Sequence, residues 1–328
     1  MESVRSHSDG RQRPSPWPFP PNGEPMTFAE YKKHFSSARK DIYDRRGPLR
    51  RLMREQMLRC QDSREVMRVF VIAMQYPDSA RHIAVLHNEI VRALYASRTN
   101  VTDQRILDTI TCIILRLRRA DMEAPLTLLN VGLKFAARSR SLPGMKRYLK
   151  MFRDRGLPIS RDVLRSTFAK IGIGNRGLGE IRNGRWARDK LMQVLLGFDD
   201  VPPEEAYHLE TFLPRDDWHV VHGWMTVLSK CKATDRLWHE WELWLQHSSR
   251  AHPRQLQARG SCWTTRSRGD YWHVELMCRA GDMQRAWAMY EKTDLAFHEL
   301  SAFAQSMLLD GPKHATLLHS DVSGALLP

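Results

Sequence analysis

Apolar residues recur at intervals of three and four along most of the chain, and this spacing constrains the fold more than any other feature. Between residues 102 and 119, Ile106, Ile110, Ile113 and Leu117 fall on one helical face. No segment shows a convincing alternation of apolar and polar residues, which a half-buried strand requires. The pattern therefore predicts a predominantly α-helical chain.

The apolar stripes come as short helical segments separated by breaks. Helices are predicted within 27–75 and at 83–97, 102–119, 126–138, 142–155, 186–196, 218–231, 235–247, 271–280 and 282–293. When two short helices pair, they leave an apolar face that the next pair must cover. We therefore expect an all-α stack of αα-hairpins, an α-solenoid.

Composition divides this chain into regions. Residues 1–26 contain a run of prolines and are expected to be a disordered lead. A first helical region would span 27–198, with a glycine-rich interruption at 172–185. An acidic, proline-containing linker is predicted at 199–217, and a tryptophan-rich helical region at 218–328.

Positive charge is concentrated in one part of the sequence. Residues 138–190 hold 15 Lys and Arg but only 4 Asp and Glu, so they carry most of the formal net charge of +14. A cluster of fixed cations concentrates phosphate ligands and releases counterions when they bind. The alternatives are a generally basic protein or a helical scaffold for acidic protein partners, such as a ribosome-associated or assembly factor.

No complete catalytic motif is found, so we expect a protein that is not an enzyme. The five cysteines show no CxxC spacing and are expected to be reduced. Since no run of about 20 apolar residues occurs, no membrane insertion is expected. We also expect no cofactor.

One glycine motif suggests a second alternative, a nucleotide-binding enzyme. Gly172, Gly174 and Gly177 match the GxGxxG fingerprint, and Asp199 follows at about the distance of a ribose ligand. The mechanism requires a buried strand before the glycines and a clean helix after them. Residues 167–171 make a poor strand, so a structural loop or a basic loop that approaches phosphate is favoured.

Histidines and tryptophans of the C-terminal half offer weaker sites. His219 and His222 could hold a metal only with a third ligand from elsewhere, so no metal site is predicted. His239-Glu240 lacks the second histidine of a zincin motif. Trp238, Trp241 and Trp244 could stack bases, but packing between helices is favoured because leucines accompany them.

Two stretches go further and resemble the pentatricopeptide repeat, a helix pair of about 35 residues found in organellar RNA-binding proteins. Residues 129–160 include Met151-Phe152-Arg153-Asp154-Arg155-Gly156, which is similar to the end of the repeat's second helix. Residues 280–291 place Gly281 between two helices and the small Ala286 five residues later. A weaker match covers 62–73. Arg140 and Met145 depart from the pattern in the first stretch.

This resemblance implies non-catalytic binding of single-stranded RNA in a mitochondrial protein of fungal type, supporting processing, stability or translation of a transcript. Without it, a cytoplasmic location would be expected. By residue-wise transfer, Asn130 and Ser160 would contact a base, whereas Tyr271 departs from the preference in the last unit. The predicted phosphate contacts are Lys146, Arg147, Lys150, Arg153, Arg155, Arg176, Arg182, Arg185, Arg188 and Lys190.

Overall fold

The computed structural model describes residues 27–40, 47–171, 186–247 and 265–310. Within these ranges it contains fifteen α-helices, four short 3₁₀ turns and no strand, which confirms the all-α prediction for this part of the chain. The helices are α1 Phe28–Lys40, α2 Gly47–Arg59, α3 Ser63–Met74, α4 Pro77–Val85, α5 His87–Ala96, α6 Asp103–Arg119, α7 Leu126–Arg138, α8 Leu142–Asp154, α9 Arg161–Ile171, α10 Arg188–Leu196, α11 Trp218–Lys230, α12 Thr234–His247, α13 Thr265–Ala280, α14 Met283–Tyr290 and α15 Ala302–Leu309.

The chain forms two compact units that divide between Val131 and Gly132. The predicted linker at 199–217 therefore lies inside the second unit. The predicted disordered lead at 1–26 and the glycine-rich interruption at 172–185 lie outside the described residues. No described helix combines the length and the apolar character needed to cross a bilayer.

Helices of the first unit begin at the capping signals that the sequence contains. The Thr27 N–H donates to Glu30 Oε2 over 2.7 Å, and the Glu30 N–H donates to Thr27 Oγ1 over 3.3 Å, which together form a capping box. Asp62 caps α3 in the same way together with Glu65. Such reciprocal bonds satisfy backbone N–H groups that a helix start leaves without partners.

One prediction in the first unit is wrong at its boundary. The sequence pattern predicts a single helix over 83–97, but the structure has α4 and α5, which meet at Leu86. Pro77 starts α4 because its fixed φ and missing N–H suit the first helical position.

Three helix pairs of the second unit share one turn. A residue with positive φ stands two positions before the second helix: Arg140 (58°), Lys232 (55°) and Gly281 (93°). Glycine adopts this conformation without strain, so the predicted role of Gly281 is confirmed. Arg140 adopts it at a cost of about 1 kcal/mol, and its guanidinium donates to Ala137 O (3.1 Å) and Lys170 O (2.7 Å).

Close contact between paired helices depends on small residues. Ala286 is fully buried, as expected for the position where α13 and α14 approach each other. In the pair of α7 and α8, Gly132 takes this role, since a Cβ there would lie 2.1 Å from Cε1 of Tyr148. The small residue that allows close approach is therefore Gly132 on the first helix of this pair, whereas the larger Met145 stands on the second helix.

First helices of successive pairs contact one another in the second unit. Helix α11 contacts α9 and α13, and α13 contacts α15. The ring centroids of Phe168 and Trp224 are 5.9 Å apart, and Ser229 Oγ donates to Leu276 O over 2.8 Å. Each of these contacts buries side chains that one pair alone would leave exposed.

The acidic segment, residues 199–217, is packed rather than extended. Tyr207, Leu209 and Leu213 are buried, and Tyr207 lies 5.3 Å from Phe198 between ring centroids. Two 3₁₀ turns, Pro203–Glu205 and Leu209–Phe212, bend the chain so that these side chains face inward. The expectation of a linker overlooked these apolar residues between the carboxylates.

Candidate nucleic-acid interface

The predicted phosphate contacts lie mainly on two helices of the second unit. Helix α8 carries Lys146, Arg147, Lys150 and Arg153, with Arg155 following it, and α10 carries Arg188 and Lys190. Helices α8 and α10 contact each other. The fold thus brings two separate parts of the predicted basic surface together. Arg176, Arg182 and Arg185 lie outside the described residues.

The acidic segment neutralises part of α8. Lys146 forms an ion pair with Asp200. Arg153 lies 3.8 Å from the Glu205 carboxylate and 3.5 Å from the Glu204 carbonyl oxygen. These two cations are therefore engaged within the unit before any ligand binds.

The far end of the acidic segment holds α9 in a similar way. Arg161 contacts Asp216 over 2.5 Å, and Arg165 contacts Asp217 over 2.8 Å. Asp217 is buried and also accepts from the Val220 N–H over 3.2 Å, which caps α11. One carboxylate thus joins the acidic segment, α9 and the start of α11.

These contacts lower the pKa values of two carboxylates in the acidic segment. Hydrogen bonding by Lys146 lowers the pKa of Asp200. Burial acts to raise the pKa of Glu210, but the hydrogen bonds from His208 and Arg236 outweigh it, and the pKa falls to about 2. Glu210 forms an ion pair with Arg236 of α12, so the acidic segment is tied to that helix as well.

Three predicted cations remain open to solvent. Arg147, Lys150 and Lys190 are exposed and form no ion pair within the described ranges. Arg147 and Lys150 are three residues apart and share a face of α8. By contrast, Arg155 is half-buried, and Arg188 Nε donates to the Cys231 carbonyl oxygen over 2.7 Å. Arg188 therefore helps to hold α10 against the end of α11.

The two predicted base-contact residues differ in exposure. Asn130 is half-buried on α7, and its Oδ1 is buried with no hydrogen-bond partner in the described chain. Ser160 is exposed, and its Oγ accepts from the Val163 N–H over 3.4 Å at the start of α9. Tyr271 is half-buried, and burial raises the pKa of its hydroxyl. Base contact by Asn130 and Ser160 stays a prediction.

The tryptophan stripe of α12 packs between helices, as favoured above. Trp241 is fully buried, and Trp244 Nε1 donates to Asp270 over 2.7 Å. A Cβ at Gly269 would lie 2.2 Å from the Trp244 ring. Trp238 is half-buried and donates to Glu242 over 2.9 Å.

Two histidines, His222 and His273, pack against tryptophan rings in a cluster that the sequence analysis did not predict. His273 is buried, and its ring centroid lies 5.3 Å from Trp241 and 5.7 Å from Trp244. Burial lowers the pKa of His273 to about 4, and burial likewise lowers that of His222 to about 4. No local motif marks His273, because its neighbours are brought to it by α11 and α12.

Metal binding finds no support in the described part of the chain. His222 packs edge-on against Trp272 with ring centroids 4.5 Å apart, whereas His219 is exposed. No group of three or more side chains able to ligate a metal occurs among the described residues.

No protein-family model matches the sequence, and no curated protein is significantly similar to it.

Proposed function

We propose that the protein binds single-stranded RNA through its second unit and catalyses no reaction. In this proposal the helix pairs form a stack of the pentatricopeptide type. The protein would act in mitochondria, in the processing, stability or translation of a transcript.

The repeated turn supports a stacked architecture. Arg140, Lys232 and Gly281 occupy the same position in three helix pairs, although only one of them is glycine. Helices often end at a left-handed residue, as they also do at Asp121 and Gly156. What the three pairs share is a connection of only two or three residues between their helices, as in a stack of helix pairs. The contacts from α9 to α11, α13 and α15 run in the order expected of such a stack.

Exposed cations on α8 and α10 are the observation that carries the proposal. Arg147, Lys150 and Lys190 stay available after the acidic segment has neutralised its partners. They lie on two contacting helices, and in this proposal one polyanion reaches all three. Lys and Arg bind phosphate oxygens independently of base identity, and these contacts weaken as salt rises.

The test is filter binding of labelled single-stranded RNA of mixed sequence. We expect the triple variant Arg147→Glu, Lys150→Glu, Lys190→Glu to bind at least about tenfold more weakly, with a shallower dependence on salt. Arg188 is left unchanged because its Nε donates to the Cys231 carbonyl oxygen.

A matched control reverses Arg105, Arg116 and Arg118, three exposed arginines of α6, with the same change in net charge. This control should keep most of the affinity. Unchanged affinity in the triple variant, or an equal loss in both sets, would remove α8 and α10 as the interface.

Two other functions predict different results. A protein scaffold would retain stoichiometric protein partners after nuclease treatment and would not retain RNA. A nucleotide enzyme would need the segment 172–177, which lies outside the described residues, and would show a thermal shift with NAD or ATP.

A further inference from the structure

An open groove of about 520 Å³ lies between α1 and α3 in the first unit. Its apolar side chains include Phe28, which is 38% exposed, and the half-buried Met67 and Val71. Its full lining is Phe28, Lys32, Arg64, Met67, Arg68, Val71, Ile72 and Gln75.

Helix α3 has two apolar faces, and only one is used in the core. Val66, Phe70 and Ala73 are fully buried. Met67 and Val71, four residues apart, form a second stripe that faces the groove. The capping boxes at Thr27 and Asp62 determine where α1 and α3 begin, and these two helices form the walls of the groove.

The rim of the groove is basic and uncompensated. Lys32, Arg64 and Arg68 are exposed and form no ion pair with the residues that the structure describes. Arg68 lies over the Phe28 ring, 5.4 Å from its centroid. Among the residues that the structure describes, no acidic side chain lines this groove.

A second groove of the same unit shows the contrast. There, Arg51 pairs with Glu55 over 3.2 Å and Arg54 with Glu89 over 3.0 Å. Charges in that groove are largely balanced internally. In the groove between α1 and α3, by contrast, none of the three cations has a carboxylate partner among the described residues.

We propose that this groove binds an acidic amphipathic helix of a partner protein. Apolar residues of that helix lie on Phe28, Met67 and Val71, and its carboxylates reach Lys32, Arg64 and Arg68. The lining runs along α3 from Arg64 to Gln75, about three helical turns, which suits a third helix laid between two others.

The aliphatic floor favours a protein over RNA. Single-stranded RNA is held by base stacking on aromatic rings together with phosphate contacts. Here the one aromatic ring is already covered by Arg68, and Met67 and Val71 offer no stacking surface. The proposal goes beyond RNA binding and uses residues of the other compact unit, so either can fail without the other.

The probe is a fluorescein-labelled helical peptide with leucines spaced three and four residues apart and glutamates on both flanks. Its control has every glutamate replaced by lysine. By fluorescence anisotropy on the full-length protein, we expect saturable binding of the acidic peptide, at least about tenfold tighter than that of the basic one.

Three variants separate the contribution of the apolar floor to peptide binding from that of the basic rim. Met67→Glu should weaken binding at least about tenfold by placing a charge in the apolar floor. Arg68→Glu should do the same by reversing the rim, whereas Arg105→Glu on α6, with the same charge change, should leave affinity unchanged. Circular dichroism and melting temperature establish that each variant folds.

Several outcomes overturn the proposal. These are no saturable binding of the acidic peptide, equal binding of the basic peptide, or equal losses from Arg68→Glu and Arg105→Glu. Displacement of the bound peptide by mixed-sequence RNA would show that the groove takes a nucleic acid instead.

Discussion

The two compact units differ in how much charge they bury. In the second unit the ionisable side chains Asp217, Glu240, Asp270, His273 and Glu275 are buried, and the acidic segment pairs with cations of α8 and α9. In the described part of the first unit, Asp103 is the one buried Asp, Glu, His, Lys or Arg, and it pairs with Arg98.

The difference teaches that the number of cations in a sequence is not the number available to a ligand. The most basic stretch, 138–190, gives much of its charge to internal ion pairs. Lys32, Arg64 and Arg68 stand out less in the sequence, yet no described carboxylate pairs with them. Charge in the second unit is expected mainly to stabilise the fold and to leave Arg147, Lys150 and Lys190 for RNA, whereas the three cations of the first unit are expected to serve binding alone.

The largest effect is expected at Asp217. Asp217→Ala removes a helix cap and leaves Arg165 without its closest carboxylate partner, so the free energy of unfolding should fall by about 3 kcal/mol. The neighbouring Asp216→Ala breaks an exposed pair with Arg161 and should cost less than about 1 kcal/mol. Urea unfolding followed by tryptophan fluorescence measures both free energies. Equal losses would contradict the claim that the buried carboxylate of Asp217 stabilises the second unit more than the exposed one of Asp216.

Acid should destabilise the second unit next. The pKa of buried His273 is about 4 when folded, against 6.5 ordinarily, so the unfolded chain takes up the proton first as pH falls. Its contribution, complete above pH 6.5, is lost progressively down to about pH 4 and amounts to about 3 kcal/mol. His222 adds to the loss in the same direction.

The measurement is the free energy of unfolding against pH, again by tryptophan fluorescence, since every described tryptophan follows Gly132. His273→Gln should flatten the curve between pH 6.5 and 4. His298→Gln, at an exposed position, should leave it unchanged. A flat curve for the parent protein would argue against a buried neutral His273.

Removing acid from the second unit should release cations for RNA. Glu204→Gln with Glu205→Gln removes the Glu205 carboxylate that pairs with Arg153 and the negative charge of its neighbour, while the bond from Arg153 to the Glu204 carbonyl oxygen stays; RNA affinity should rise about three- to tenfold at low salt. Asp294→Asn with Asp310→Asn changes the net charge equally at other exposed positions and should have a smaller effect. Equal gains from both pairs would show that only net charge matters.

The smallest effect is expected in the first unit. Arg64→Ala should change the free energy of unfolding by less than about 0.5 kcal/mol, because Arg64 forms no ion pair with described residues. Thermal unfolding followed by circular dichroism measures it. A larger loss would mean that this arginine supports the fold, and the contrast between the units would fail at that position.

Local signals predicted much of the fold. Helix α6 lies where its isoleucine stripe placed it, and its buried face includes all four predicted residues. Gly281 and Ala286 occupy the turn and the close approach that their residue types indicate. The turn at Arg140 could not be predicted from its residue type, because arginine rarely adopts positive φ.

The candidate sites were less predictable. Nothing near His273 in sequence announces its burial, since the rings around it belong to Trp218, Trp241 and Trp244 of other helices. The groove between α1 and α3 likewise needs both helices in place. The acidic segment was predicted to be a linker because it is rich in Asp, Glu and Pro. The burial of Tyr207, Leu209 and Leu213 is visible only in the tertiary structure.

By itself, the sequence determined that the chain is helical and where most helices begin and end, because periodicity and capping depend on residues a few positions apart. Only the tertiary structure decided which cations remain available. Lys146 and Asp200 are 54 positions apart, and Arg165 and Asp217 are 52 apart. Coulomb attraction depends on distance in space, and the packing of α8 and α9 against the acidic segment sets that distance.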